Sequence, residues 1–147
     1  MVHIVLVHPE IPQNTGNIAR SCAIVGAGLI LIRPLGFSLT EKHLKRSGMD
    51  YWQDVDVQIR DDLESVIAER PSYLFSTRGK TLYTDLQYKQ DVNLIFGSES
   101  SGFPEEIYDK YADQLCTLPM REGKRSLNLS NAAAIALYEW WRQQGFS

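Results

Sequence analysis

The sequence has little that would hold a metal or a disulfide framework. Its two cysteines, Cys22 and Cys116, fit no ligand spacing, and His3, His8 and His43 stand isolated from one another. No metal is expected. A phosphate-loop lysine motif, a Gly-x-Ser-x-Gly elbow and a metal-binding helix pair are all missing. Gly26-Ala27-Gly28 lacks the third glycine of a dinucleotide fingerprint and closes a helical segment instead of opening one, which weighs against a dinucleotide-dependent oxidoreductase. The longest purely apolar runs, such as 132–137, fall far short of the ~20 residues needed to cross a bilayer. No leader is expected ahead of the apolar run 2–7, so the expected setting is cytoplasmic, with reduced thiols. An excess of positive charge is missing too: 15 Lys and Arg stand against 18 Asp and Glu, a net charge of −3. A nucleic-acid partner would have to be held by a local basic patch.

What is present is ordinary globular composition, 44% hydrophobic and 22% charged over 147 residues. That length predicts one domain spanning 1–147, able to bury ~70% of its unfolded surface without a staple. Strand-like apolar runs fall at 2–7, 29–32, 55–59, 73–77, 92–96 and 115–118. Helical segments alternate with them. One starts at an Asn14 or Thr15 cap and runs to about Val25, and a short basic one runs from Thr40 to Arg46. Others cover 61–69, the stretch from Pro104 to Tyr111, and the stretch from a Ser130 cap to about Gln144. Strands apolar on both faces, alternating with helices, predict a parallel α/β sheet whose ligands bind beyond the strands' C-terminal ends.

Charge is uneven. Segment 49–72 holds seven acids against Arg60 and Arg70, whereas Arg33, Lys42, Lys45 and Arg46 make 33–46 basic. Arg78/Lys80 and Arg121/Lys124/Arg125 form two further basic clusters. Each suits solvated surface; all on one face would suit an RNA backbone.

Three segments carry chemistry. In PEIPQNTGNIAR, the residues Asn14, Asn17 and Arg20 step by three along one flank of a helix while Ile18, Cys22 and Val25 face the core. Amides and a guanidinium beside a helix N-terminus suit a phosphate or a ribose hydroxyl, and a cap with a surface ion pair is the plainer reading. Phe96-Gly97-Ser98-Glu99-Ser100-Ser101-Gly102 follows the most apolar strand. Its glycines permit close approach of a ligand, and its hydroxyls and Glu99 suit a ribose or an amine, or else an ordinary turn that Glu99 caps. In LPMREGKRSLNLSN, an extended course puts Ser126, Asn128 and Ser130 on one side and Leu127 and Leu129 in the core. The final helix carries Glu139 as its only charge between 132 and 141. Its second apolar face, with Tyr138 and Trp141, calls for a partner such as a second copy of the chain.

Taken in order, IVLVHPEIPQNTGNIAR, RPLGF, LKRSGMDYW, FGSESSG and LPM…RSLNLSNAAAI…YEWWRQQGF resemble the motifs of the SPOUT RNA methyltransferases over essentially the whole chain. They are most similar to the short branch, of TrmL or YibK type, that 2′-O-methylates the wobble ribose of tRNA. The resemblance implies a Rossmann-like parallel α/β fold whose C-terminal part is tied in a deep trefoil knot, a feature that periodicity does not show. It implies S-adenosyl-L-methionine as cofactor and a homodimer packed through the first and last helices. The cofactor would touch Thr77, Gly97, Leu118 and Ser126, with Glu99, Met120 and Asn131 nearby. The implied catalytic and RNA-side positions are Arg20, Asn14, Glu99, Ser126 and Asn128. Arg20 is the central one, holding a phosphate and steadying a developing alkoxide, since a guanidinium keeps its proton and is a poor base. The expected partner is tRNA through its anticodon stem-loop, with C or U at the wobble position. Another tRNA or rRNA site, or a non-catalytic RNA-binding module of the same fold, are the alternatives. The stretch 98–101 departs from some relatives in having no basic residue.

Overall fold

The apolar runs assemble into a seven-stranded sheet in which every pairing is parallel, ordered β3-β2-β1-β6-β4-β7-β5. The structure, a computed structural model, describes residues 1–39 and 50–147. The strands are β1 (Val2–Val7), β2 (Gly28–Ile32), β3 (Val57–Arg60), β4 (Ser72–Phe75), β5 (Thr81–Leu82), β6 (Val92–Phe96) and β7 (Leu115–Thr117). The helices are α1 (Pro12–Val25), α2 (Leu63–Glu69), α3 (Glu105–Lys110) and α4 (Leu129–Gln143). The predicted basic helix from Thr40 to Arg46 lies outside the described residues.

Alternate residues of the central strands face opposite layers. Ile4, Leu6, Leu29, Leu31 and Leu94 pack with Ile18 and Cys22 of α1 and Ala133, Ala136 and Leu137 of α4. Val5, Val7, Ile30, Ile32 and Ile95 pack on the other side with Leu63 and Val66 of α2 and Ile107 and Tyr108 of α3. β1 and β6 are buried along their whole length, as a parallel strand covered on both faces should be. From β1 the sheet extends outward in both directions, and the loops after its strands gather at the C-terminal edge, where a crevice opens among those that follow β4, β6 and β7.

Several boundaries differ from expectation, each for a local reason. α1 begins at Pro12, two residues before the predicted cap; proline at the first position has no N–H to satisfy, and Asn14 is buried inside the first turn. α4 is capped by Asn128, not Ser130: the Asn128 side chain accepts from the Ser130 and Asn131 amides. Leu127 is 41% exposed and belongs to an irregular loop, so the predicted extended strip with two core leucines does not form. The two-residue β5 has no pattern long enough to be read in advance.

At the opposite, N-terminal edge of the strands, Asn93 is fully buried and ties three elements. It donates to the Val66 carbonyl and the Ser72 hydroxyl at 3.0 and 3.1 Å, and accepts from Arg70 at 2.8 Å. Truncation removes all three bonds at once at a fully buried position. Asn93→Ala is expected to lower stability by about 2 kcal/mol, read as a reduced urea midpoint with an unchanged slope.

Candidate functional site

Three loops meet at the C-terminal edge of the sheet because their strands end there side by side. After β6 the chain makes a tight turn closed by an antiparallel bridge, Ser98 and Gly102 exchanging N–H···O bonds of 3.0 Å. Gly97 lies so close against the Gly102 backbone that no Cβ fits between them. The stem of this turn therefore requires glycine, and its tip projects Glu99 and Ser100 toward the start of α1.

There the two segments clasp each other. The Glu99 carboxylate accepts from the backbone amides of Glu10 and Ile11 at 2.9 and 2.8 Å and from Asn14 Nδ2 at 3.2 Å. In return the Glu10 carboxylate accepts from the Ser100 amide at 2.9 Å and from its hydroxyl at 2.7 Å. Both oxygens of Glu99 are thus engaged at the entry to α1, where a negative charge also complements the helix dipole. Asn14 passes the connection on, because its Oδ1 accepts from Asn128 Nδ2 at 3.1 Å. Asn128 in turn caps α4. One continuous run of hydrogen bonds, Glu99–Asn14–Asn128, joins the three segments singled out in the sequence.

This run forms part of the wall of a cavity of about 660 Å³. Phe75 and Phe96, stacked at 4.8 Å, are among its apolar lining, and the turn residues 76–78 and 97–98 line it as well. Thr77, Gly97, Glu99, Leu118, Met120 and Ser126 all line it, as do Asn14 and Asn128. Two residues expected at the site stand elsewhere. Asn131 is exposed in the first turn of α4, with its amide bonded to Asn128, and is not part of the lining. Arg20 is exposed on α1, six residues beyond Asn14 and so ~9 Å along the helix axis, and does not line the cavity either.

Residues that sequence reasoning missed also face the cavity. Tyr108 lies beneath Arg78, whose guanidinium stacks 3.7 Å from the ring centroid and pairs with Glu105 at 3.0 Å. Glu10 does not line this cavity, and its role leaves no local signal in the sequence because its partner Ser100 is 90 residues away. Of the basic clusters, Arg78 reaches the cavity, and Arg121, Lys124 and Arg125 occupy the exposed loop between the lining residues Met120 and Ser126. Arg33 is turned to Asp61 at 3.2 Å. Cys22 and Cys116 are buried, and burial pushes both thiols up to about 12. Among the described residues no cluster of three or more metal-ligating side chains gathers, and no helix is long and apolar enough to cross a membrane.

Fold and site together define a parallel α/β protein with a cavity at the C-terminal edge of its sheet, walled by glycine turns and a polar clasp. The chain belongs to the SpoU rRNA methylase family, whose model matches residues 1–138. It is 44% identical to a tRNA (cytidine(34)-2′-O)-methyltransferase of Methylovorus glucosotrophus (strain SIP3-4), covering 100% of this chain and 98% of that one. A solved structure concerned with 2-OH methylation of C/U34 on tRNA superposes with a TM-score of 0.89 at 41% identity, covering 100% and 98% of the two chains. AviRb, a SpoU methyltransferase from Streptomyces viridochromogenes solved with AdoMet, superposes with a TM-score of 0.82 at 26% identity, covering 99% of this chain and 61% of that one.

The clasp has a pH signature. The hydrogen bonds from the Ser100 hydroxyl and amide hold the Glu10 carboxyl below the usual carboxylate range. Its contribution to stability is therefore present above the unfolded value of ~4.3 and is lost as pH falls through the lower folded value. The difference in Tm between the native chain and Glu10→Gln is expected to be full at neutral pH and to close below about pH 4; a difference independent of pH contradicts the assignment.

Proposed function

We propose that the chain transfers the methyl group of S-adenosyl-L-methionine to the ribose 2′-hydroxyl of the wobble nucleotide, C or U, in the anticodon loop of tRNA. The observation that carries this is the Glu99–Asn14–Asn128 run at the wall of the 660 Å³ cavity. The cavity suits the cofactor: its volume lies within the ~300–1,000 Å³ of small-molecule sites. Its lining combines an aromatic pair with the small polar residues Ser76, Thr77 and Ser126, which match a ligand that is part aromatic and part zwitterionic. Thr77, Gly97, Leu118 and Met120 would hold the cofactor, with Ser126 at the rim. Bound there, S-adenosyl-L-methionine supplies a methyl group made electrophilic by a sulfonium sulfur.

The protein's task is then alignment and charge. As the new O–CH3 bond forms and the S–CH3 bond breaks, the 2′-hydroxyl gives its proton to water or to a phosphate oxygen. Asn14 and Asn128, each with its side-chain oxygen and nitrogen already engaged, present a remaining N–H in a set orientation to the ribose. Glu99 holds Asn14 and is a positioning residue. Arg20 would hold the adjacent phosphate and stabilise negative charge developing on the ribose oxygen.

Since Arg20 does not line its own chain's cavity, the reading includes a homodimer in which Arg20 of the partner subunit completes each site. The α1 and α4 side of the molecule supports this. Ile24, Tyr138 and Phe146 are 58%, 43% and 56% exposed there, and Trp141 contacts Tyr138 and Phe146 edge-to-face. The proposal further takes 1–147 as a single methyltransferase domain with a deep trefoil knot at its C-terminal end, in a cytoplasmic setting. The close approach of the loop after β4 to β7 supports the knot: the Ser76 amide donates to the Cys116 carbonyl at 2.9 Å, continuing the β4–β7 ladder, and a Cβ on Gly79 would lie 2.5 Å from the same oxygen.

Mass mapping of ribose methylation in tRNA from cells with and without the protein tests the reaction. The wobble 2′-O-methyl group is expected to vanish with the protein, and its persistence would refute the assignment. Arg20→Lys keeps the charge but loses the planar fork. It is expected to lower kcat about 10- to 100-fold with cofactor binding unchanged, and near-normal turnover contradicts the role given to Arg20.

A further inference from the structure

A second cavity of about 390 Å³ opens on the other side of the Ser98–Gly102 turn. It shares Ser98, Ser101, Gly102 and Phe103 with the first, so the two are separated by the thickness of one bridged turn. Pro34, Leu35, Phe103 and Pro104 give it largely apolar walls, and among the described residues no lysine or arginine lines it. That lining is wrong for a phosphate and right for a flat heterocycle with a polar edge. Among the described residues its other titratable side chain besides His8 is Glu10, whose oxygens are already occupied by Ser100.

His8 is the residue the clasp leaves unused. It follows β1 directly, its amide donating to the Ile32 carbonyl at 3.1 Å, and it adopts φ +53°, a left-handed backbone that few non-glycine residues take up. Such strain persists where surrounding structure over-determines it, and it concentrates at ligand sites. The ring's Nδ1 is sealed from solvent with no hydrogen-bond partner. Its polar work is therefore left to Nε2, on a half-buried ring beside the cavity.

We propose that this second cavity receives the nucleobase of the nucleotide whose ribose is methylated, and that His8 reads the base's polar edge. The inference rests on the methyltransferase reading above and adds a specificity-determining residue to it. A ribose and its own base are joined by a single bond, so a ribose presented at the rim of the first cavity sends its base over the shared turn into the second. Loop nucleotides of RNA are recognised in this manner, splayed from the stack and bonded along an edge.

The test is a cycle that pairs a protein variant with a substrate lacking one base. Anticodon stem-loops with an intact wobble nucleotide, and the same RNAs with that base replaced by hydrogen, are methylated by the native chain, His8→Gly and His8→Asn. Glycine removes the ring and is at ease at positive φ; asparagine tolerates that backbone and keeps a polar group. Removing the base is expected to cost the native chain about tenfold or more in kcat/KM and His8→Gly far less, with His8→Asn intermediate. S-adenosylhomocysteine is expected to bind all three equally by calorimetry. An equal loss on base removal in every protein overturns the inference while leaving the methyltransferase reading intact. Weakened S-adenosylhomocysteine binding in both variants also overturns it, by assigning His8 to the fold. Failure of the native chain to methylate any intact anticodon loop refutes instead the reading on which the inference rests.

Discussion

The Glu99 carboxylate holds the entry to α1 from 88 residues away in the chain, and the geometry of the site depends on that grip. A helix that begins with Pro12 behind Ile11 has no side-chain cap of its own. Glu99 supplies acceptors for the amides just before it and a negative charge where the helix dipole favours one. The same carboxylate fixes Asn14, Asn14 fixes Asn128, and Asn128 caps the helix at the far end of the chain. A local need, ending two helices properly, is met by long-range contacts that also shape a cavity wall.

A parallel sheet makes this economical. Because every strand runs the same way, the turns that follow β1, β4, β6 and β7 emerge at one edge, and residues from all four meet without any strand having to bend. The hydrophobic layers on both faces fix the strand ends, so the turns inherit their positions. Where chain approaches chain most closely, at Gly79 against Cys116 and at Gly97 against Gly102, glycine is required by space alone. Stability and site are thus linked: what keeps the turns in place is the buried packing beneath them.

Much of the fold was legible because buried parallel strands are short apolar runs; 92–96 matches β6 residue for residue, and 2–7 matches β1. The helix starts were less legible. Asn14 and Ser130 both have the chemistry of caps, but each is already committed, Asn14 to Glu99 and Asn128, Ser130 to the side chain of Asn128. The spacing of Ser126, Asn128 and Ser130 suggested a strand because alternation is a local signal, whereas the loop there follows from Asn128 having to reach Asn14. The site residues were visible as three separate segments; what joined them was invisible. A bond between positions 14 and 128 leaves no periodicity in a sequence, and the family motifs located these residues without giving the physical reason.

The central claim is that Glu99, Asn14 and Asn128 act as one unit that orients the ribose. A double-mutant cycle on Glu99→Gln and Asn128→Ala, with methyl transfer to tRNA and S-adenosylhomocysteine affinity both measured, addresses it directly. The account predicts that the losses in kcat are strongly non-additive, the double variant being little slower than either single one, while S-adenosylhomocysteine affinity changes little throughout. Losses that multiply, as for two independent residues, would contradict it.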